Sequence, residues 1–122
     1  MADILIIDDD EALRSTIRKI LQRQGHAVRE AGDGSSGLAL MRESTPDLVI
    51  TDLYMPGKEG IETILELRAE DPNLPILAVS GGGVTMTAGL SLSDAEALGA
   101  NASLAKPFSL EAFNEVVDRL LG

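Results

Sequence analysis

Asp3-Ile4-Leu5-Ile6-Ile7-Asp8-Asp9-Asp10 is the stretch on which the fold turns. Four aliphatic residues run without a polar break into three carboxylates. A strand that is apolar on both faces belongs in a sheet covered on both sides, which is the habit of parallel sheets. Three later runs repeat the pattern. Leu48-Val49-Ile50-Thr51 leads into Asp52, Ile76-Leu77-Ala78-Val79 into Ser80, and Ser103-Leu104-Ala105 into Lys106-Pro107. If these are parallel strands of one sheet, their polar ends emerge together at its carboxyl edge. Open α/β sheets bind ligands at that edge.

Helical patterns fill the gaps between the runs. Asp10–Gln24 carries Leu13, Ile17, Ile20 and Leu21 on one face and stops at Gly25. His26–Glu30 is a weaker strand, and His26 itself reads as a surface residue at its start. Asp33 and Gly34 open a helix of small residues to about Glu43, and Pro46 separates it from a strand over Asp47–Thr51. Met55-Pro56-Gly57 is a turn signal, followed by a helix over Glu59–Glu70 with Ile61, Ile64, Leu65 and Leu67 apolar. Leu74–Val79 is the next strand. Ser93 and Glu96 suit a capping box for a helix ending at Gly99. Asn101–Ala105 is a short strand and Ser109–Leu121 a strongly amphipathic helix with Leu110, Phe113, Val116, Val117, Leu120 and Leu121 apolar.

The alternation predicts an α/β fold, (βα)5, with a doubly wound parallel five-stranded sheet of flavodoxin-like order 2-1-3-4-5. Its switch point falls between the strands that carry Asp8, Asp9 and Asp52. At 122 residues the chain is expected to be one domain, residues 1–122, with no output domain.

Composition narrows the chemistry. The net charge of −10 disfavours a surface that binds nucleic acid directly. There is no cysteine, and the single histidine excludes a site built on several imidazoles. No apolar stretch is long enough to span a bilayer, and Met1-Ala2-Asp3 leaves no room for a signal peptide, so a cytoplasmic location is expected. With 2% aromatic residues, the core must be built from Ile, Leu, Val and Ala.

Three carboxylates meeting at one sheet edge repel one another, by roughly 4 kcal/mol for a pair about 4 Å apart at an effective dielectric near 20. Lys106 offsets part of this, and a divalent cation would offset more. Oxygen ligands without His or Cys favour Mg2+. A carboxylate beside Mg2+ and an ammonium is also a nucleophile towards phosphorus, giving an aspartyl phosphate.

Ile7-Asp8-Asp9, Asp52-Leu53-Tyr54-Met55-Pro56-Gly57, Ser80 and Lys106-Pro107-Phe108 together resemble the receiver (CheY-like) domain of bacterial two-component response regulators, of the single-domain type. The resemblance spans almost the whole chain. It implies that Asp52 is the phosphoacceptor, with Mg2+ held by Asp8, Asp9, Asp52 and the backbone carbonyl of Tyr54. It also implies that Lys106 pairs with the phosphoryl group and that Ser80 hydrogen-bonds it. The implied donor is a sensor histidine kinase or a histidine phosphotransfer protein. The implied output is altered binding to a protein target that the sequence does not name, from a chain that is monomeric when unphosphorylated. Such a module is not an enzyme in the usual sense, although it assists its own phosphorylation and dephosphorylation.

Two features depart from the family pattern. Ser103 stands where receivers usually carry Tyr or Phe, three residues before the lysine. The segment from Ser80 to Lys106 is longer than usual and contains Gly81-Gly82-Gly83, which is entropically costly to order. Ordering of that segment on phosphorylation is the expectation. Asp8-x-Asp10 also mimics the nucleophile motif of haloacid-dehalogenase-type phosphohydrolases, with Asp8 as nucleophile. A flavin carrier is a third reading, against which stands the lack of a phosphate loop after the first strand.

Overall fold

The computed structural model describes residues 2–53, 60–80, 99–106 and 108–122, with Gly60, Ile61 and Ser80 described by their backbone. Tyr54, the Met55-Pro56-Gly57 turn, the Gly81-Gly82-Gly83 run, the helix expected after Ser93 and Pro107 lie outside these residues.

The strands are β1 (Asp3–Ile7), β2 (Ala27–Ala31), β3 (Leu48–Asp52), β4 (Ile76–Ser80) and β5 (Ala102–Ala105). They form one parallel sheet in the order β2-β1-β3-β4-β5, the order expected from the sequence. The described helices are α1 (Glu11–Arg23), α2 (Gly34–Glu43), α3 (Gly60–Glu70) and α4 (Leu110–Leu121).

Two strands run one residue further than the apolar pattern suggests. Asp52 still pairs with Val79, and Ser80 with Ala105. A polar side chain marks where the environment changes, whereas the ladder is made by backbone groups and continues past it. At its start β4 is shorter than expected. Leu74 donates to the Asp71 carbonyl in a turn, and Pro75 has no N–H to give the ladder.

Period-two alternation sorts the strand residues into two cores. Leu5, Ile7, Val49, Ile76 and Ala78 pack with Leu38 and Met41 of α2 and with Ile64 and Leu67 of α3. Ile4, Ile6, Leu48, Ile50, Leu77 and Val79 face the other way, onto Ile17 and Leu21 of α1 and Phe113 and Val117 of α4. The sheet is therefore covered on both faces. Each fully buried Ile, Leu, Val or Phe side chain contributes about 1.5–3 kcal/mol. Not every apolar helix residue joins in: Leu65 and Leu110 are 47% and 55% exposed. Leu65 follows Ile64 by one residue, a turn of about 100° that carries it off the buried face.

The helices begin as their sequences indicate. The Asp10 carboxylate accepts from the Leu13 N–H, that of Asp33 from Ser36, and the Ser109 hydroxyl from Ala112. These bonds to Ser36 hold the Asp33 carboxyl below its ordinary range. After α1 the chain turns through Gly25 at φ +92°, a conformation open to glycine. His26, expected to be idle, accepts a 3.1 Å hydrogen bond at Nδ1 from the Ala2 N–H and so ties the chain start to the turn before β2.

Candidate functional site

Three strand ends bring the charged groups together. Asp8 is the first residue beyond β1, Asp52 is the last of β3, and Lys106 is the first beyond β5. β1 and β3 are neighbours, so their carboxylates converge directly. Lys106 reaches across β4 to join them. Its Nζ lies 3.1 Å from Asp8 Oδ2 and 3.2 Å from Asp52 Oδ2. One ammonium thus bridges two almost completely buried carboxylates.

Asp8 is tied down on every side. Its N–H donates to the Ala31 carbonyl at 3.1 Å, and its Oδ1 accepts from the Asp10 N–H at 2.9 Å. Its carbonyl accepts from Arg14 Nη1 at 2.6 Å. Asp9 stands exposed at the mouth of the site, while Asp10 turns away to cap α1. Carboxylate oxygens of Asp8, Asp9 and Asp52 lie within 4.8 Å of one another.

At an effective dielectric near 20, two charges 4.8 Å apart repel by about 3.5 kcal/mol. Three carboxylates and one ammonium leave two net negative charges, which is what a divalent cation neutralises. The donors are all oxygen, and the chain has no Cys to compete and one distant His. That set suits Mg2+ better than a softer metal. Burial alone would lower the proton affinity of Lys106. The charge of Asp52, then the hydrogen bond and charge of Asp8, outweigh it and hold the ammonium above its ordinary pKa. Lys106 is therefore a cation at neutral pH, unsuited to act as a base.

The residues singled out in the sequence fall into two groups. Asp8, Asp9, Asp52 and Lys106 are brought together. Ser80 ends β4 beside Ala105, at the same edge, and its side chain lies outside the described set, as does Tyr54. Arg14 was missed. The only sequence signal for it is a basic residue one helical turn beyond the capping Asp10, on the side of α1 that side chains tilt towards.

A family model for the response regulator receiver domain matches residues 4–118. The chain belongs to that family. Among curated relatives, the DNA-binding transcriptional regulator NtrC of Azospirillum brasilense is 36% identical, over 98% of this chain and 24% of its own length. Response regulator MprA of a Mycobacterium species is 39% identical, over 88% of this chain and 45% of its own. The chain spans about a quarter to a half of the length of such relatives. Among solved structures, the receiver domain of NtrX from Brucella abortus superposes with a TM-score of 0.89 at 32% identity, with 98% of each chain covered. Chemotaxis response regulator CheY4 of Vibrio cholerae does so at 0.85 and 29%, again with 98% of each covered.

Receiver domains are signalling modules of two-component systems, not a catalytic family, and they partner with histidine kinases. They bind Mg2+ in an acidic pocket, and the Asp8–Asp9–Asp52 cluster has that character. Nothing in these similarities supports the phosphohydrolase alternative. Asp10, which that reading needs in the site, has its carboxylate committed to the α1 N-terminus. No described helix is long and apolar enough to cross a membrane.

Proposed function

We propose that this chain receives a phosphoryl group on Asp52 from a phosphohistidine of a sensor kinase or phosphotransfer protein. A carboxylate oxygen of Asp52 attacks phosphorus, the P–N bond to the donor imidazole breaks, and the imidazole leaves with the electron pair. Asp8, Asp9, Asp52 and the Tyr54 carbonyl would hold Mg2+, whose charge offsets the phosphoryl oxygens in this crowded acidic site.

The observation that carries the reading is the single ammonium bridging Asp8 and Asp52 at 3.1 and 3.2 Å. When Asp52 becomes an acyl phosphate it loses its carboxylate charge and presents phosphoryl oxygens instead. Lys106, held protonated, then has a new anionic partner within reach of the position it already occupies. Asp8 is held by its backbone bonds, so Lys106 can shift towards the phosphorylated group without Asp8 following it. The Ser80 hydroxyl, from the neighbouring strand end, would donate to the same oxygens. The expected setting is the cytoplasm, with a monomer before phosphorylation and a changed protein-binding surface after it. Transcription is the business of several relatives, and a downstream target of that kind is consistent with the family.

Acetyl phosphate with Mg2+, followed by trapping of the adduct and mass spectrometry, tests the reading. A single adduct at Asp52, absent in Asp52→Asn, is expected. An adduct at Asp8 would overturn it.

A further inference from the structure

Among the described residues two cations approach the acidic cluster, and they are bound in different ways. Lys106 lies on the carboxylate oxygens of Asp8 and Asp52, where a metal ion must compete with it. Arg14 avoids those oxygens. Its Nη1 donates to the Asp8 main-chain carbonyl at 2.6 Å, while its Nε donates to Glu30 Oε1 at 3.2 Å. Glu30 is braced from the other side by Arg18, 2.6 Å from Oε2. The guanidinium passes over Gly32, where an added Cβ would sit 3.6 Å from Nη1. Arg14 and Glu30 are 16% and 21% exposed, so the link is well shielded from water.

The carbonyl of Asp8 belongs to the same rigid peptide plane as the N–H and Cα of Asp9. Holding that oxygen therefore sets the direction in which Asp9 leaves the strand. Asp9 is exposed. Its direction therefore depends on the backbone before it. On the reading given above, in which Asp8 and Asp9 hold Mg2+, we propose that Arg14 is a positioning residue for the metal site: it locks the Asp8–Asp9 peptide and so pre-aligns the Asp9 carboxylate. Its charge is paired with Glu30, and its bond to the Asp8 carbonyl leaves the carboxylate oxygens open to a metal. Groups that orient metal ligands typically change metal affinity by roughly 10–100-fold when removed.

The test is calorimetric titration of the whole chain with Mg2+, for the parent, Arg14→Lys, Arg14→Ala and Arg18→Ala. Lysine keeps the charge but lacks the planar fork that serves Asp8 and Glu30 together. Both Arg14 variants should bind Mg2+ roughly tenfold or more weakly. Arg18→Ala also removes an ion pair to Glu30, yet does not touch Asp8, and should stay within about twofold of the parent. Labelling of Arg14→Lys by acetyl phosphate should return to the parental rate once Mg2+ is saturating, and the Asp9 amide resonance should shift in the metal-free variant. Parental Mg2+ affinity in Arg14→Lys overturns the proposal, even if its stability is lowered. Equal weakening in Arg18→Ala also overturns it, since the effect would then belong to the helix as a whole. A parent chain that binds no Mg2+ overturns the underlying metal-site reading, a distinct result visible before any variant is made.

Discussion

Replacing Lys106 with methionine removes the ammonium that bridges Asp8 and Asp52 and leaves a side chain of similar length. At an effective dielectric near 20, each of its contacts, at 3.1 and 3.2 Å, is worth about 5 kcal/mol of attraction. The attraction is opposed by the desolvation of the ammonium, so the net contribution is far smaller. Breaking a buried pair by deleting one partner costs about 3–5 kcal/mol. Lys106 is 18% exposed, and water admitted at that opening places the loss near the lower end, about 3 kcal/mol. For a chain of this size the melting temperature should fall by roughly 10 °C in metal-free buffer. Mg2+ should reverse much of the fall, because the variant site is more negative and no ammonium competes for its oxygens. Each tenfold gain in affinity adds about 1.4 kcal/mol at saturating metal. Thermal unfolding followed by far-ultraviolet circular dichroism, with and without Mg2+, measures both quantities. The Mg2+-induced rise should be larger in Lys106→Met than in the parent. Equal rises would mean that the ammonium and the metal do not share the carboxylates.

The same lysine sets a pH dependence. Its folded-state pKa lies above the ordinary 10.5, so its stabilisation is fully present below that value and is lost only as pH rises through the higher folded one. The stability gap between the parent and Lys106→Met should therefore be flat from about pH 7 to 9 in denaturant titrations, and a gap that closes by about pH 9 would contradict the geometry. Gly37→Ala tests the packing beneath the site. In an ordinary helix interior the change adds about 1 kcal/mol of stability. Here the new Cβ would lie 2.7 Å from Ile7 Cγ1 and closer still to Cδ1, and Ile7 is fully buried, so overpacking of about 1–3 kcal/mol should win. A net loss near 1 kcal/mol is expected, partly relieved by Ile7→Val in the double variant, and a rise in melting temperature would show that Ile7 has room to move.

Much of the site could be read along the chain because β-strands convert sequence position into spatial position simply. Once Ile4–Ile7, Leu48–Thr51 and Ser103–Ala105 are parallel strands, Asp8, Asp52 and Lys106 must emerge at one edge. The capping roles of Asp10 and Asp33 were equally local, since an N-cap bond joins residues three apart. Strand ends were less legible, because Asp52 and Ser80 are polar but remain in the ladder. The exposure of Leu65 and Leu110 was hidden for a similar reason: hydropathy records what a residue could bury, not which way it faces.

Periodicity, turn chemistry and strand direction were enough to order the alternating elements, make the sheet parallel and bring three carboxylates and a lysine to one edge. Three-dimensional packing alone set Lys106 on Asp8 as well as Asp52. It alone decided that His26 receives the Ala2 amide, that α2 touches Ile7 at Gly37, and that Arg14 holds the Asp8 carbonyl with Glu30 at its side. Each of these joins elements whose separation is set by packing distances of a few ångströms, and no pattern along a chain records a distance between two of its distant parts.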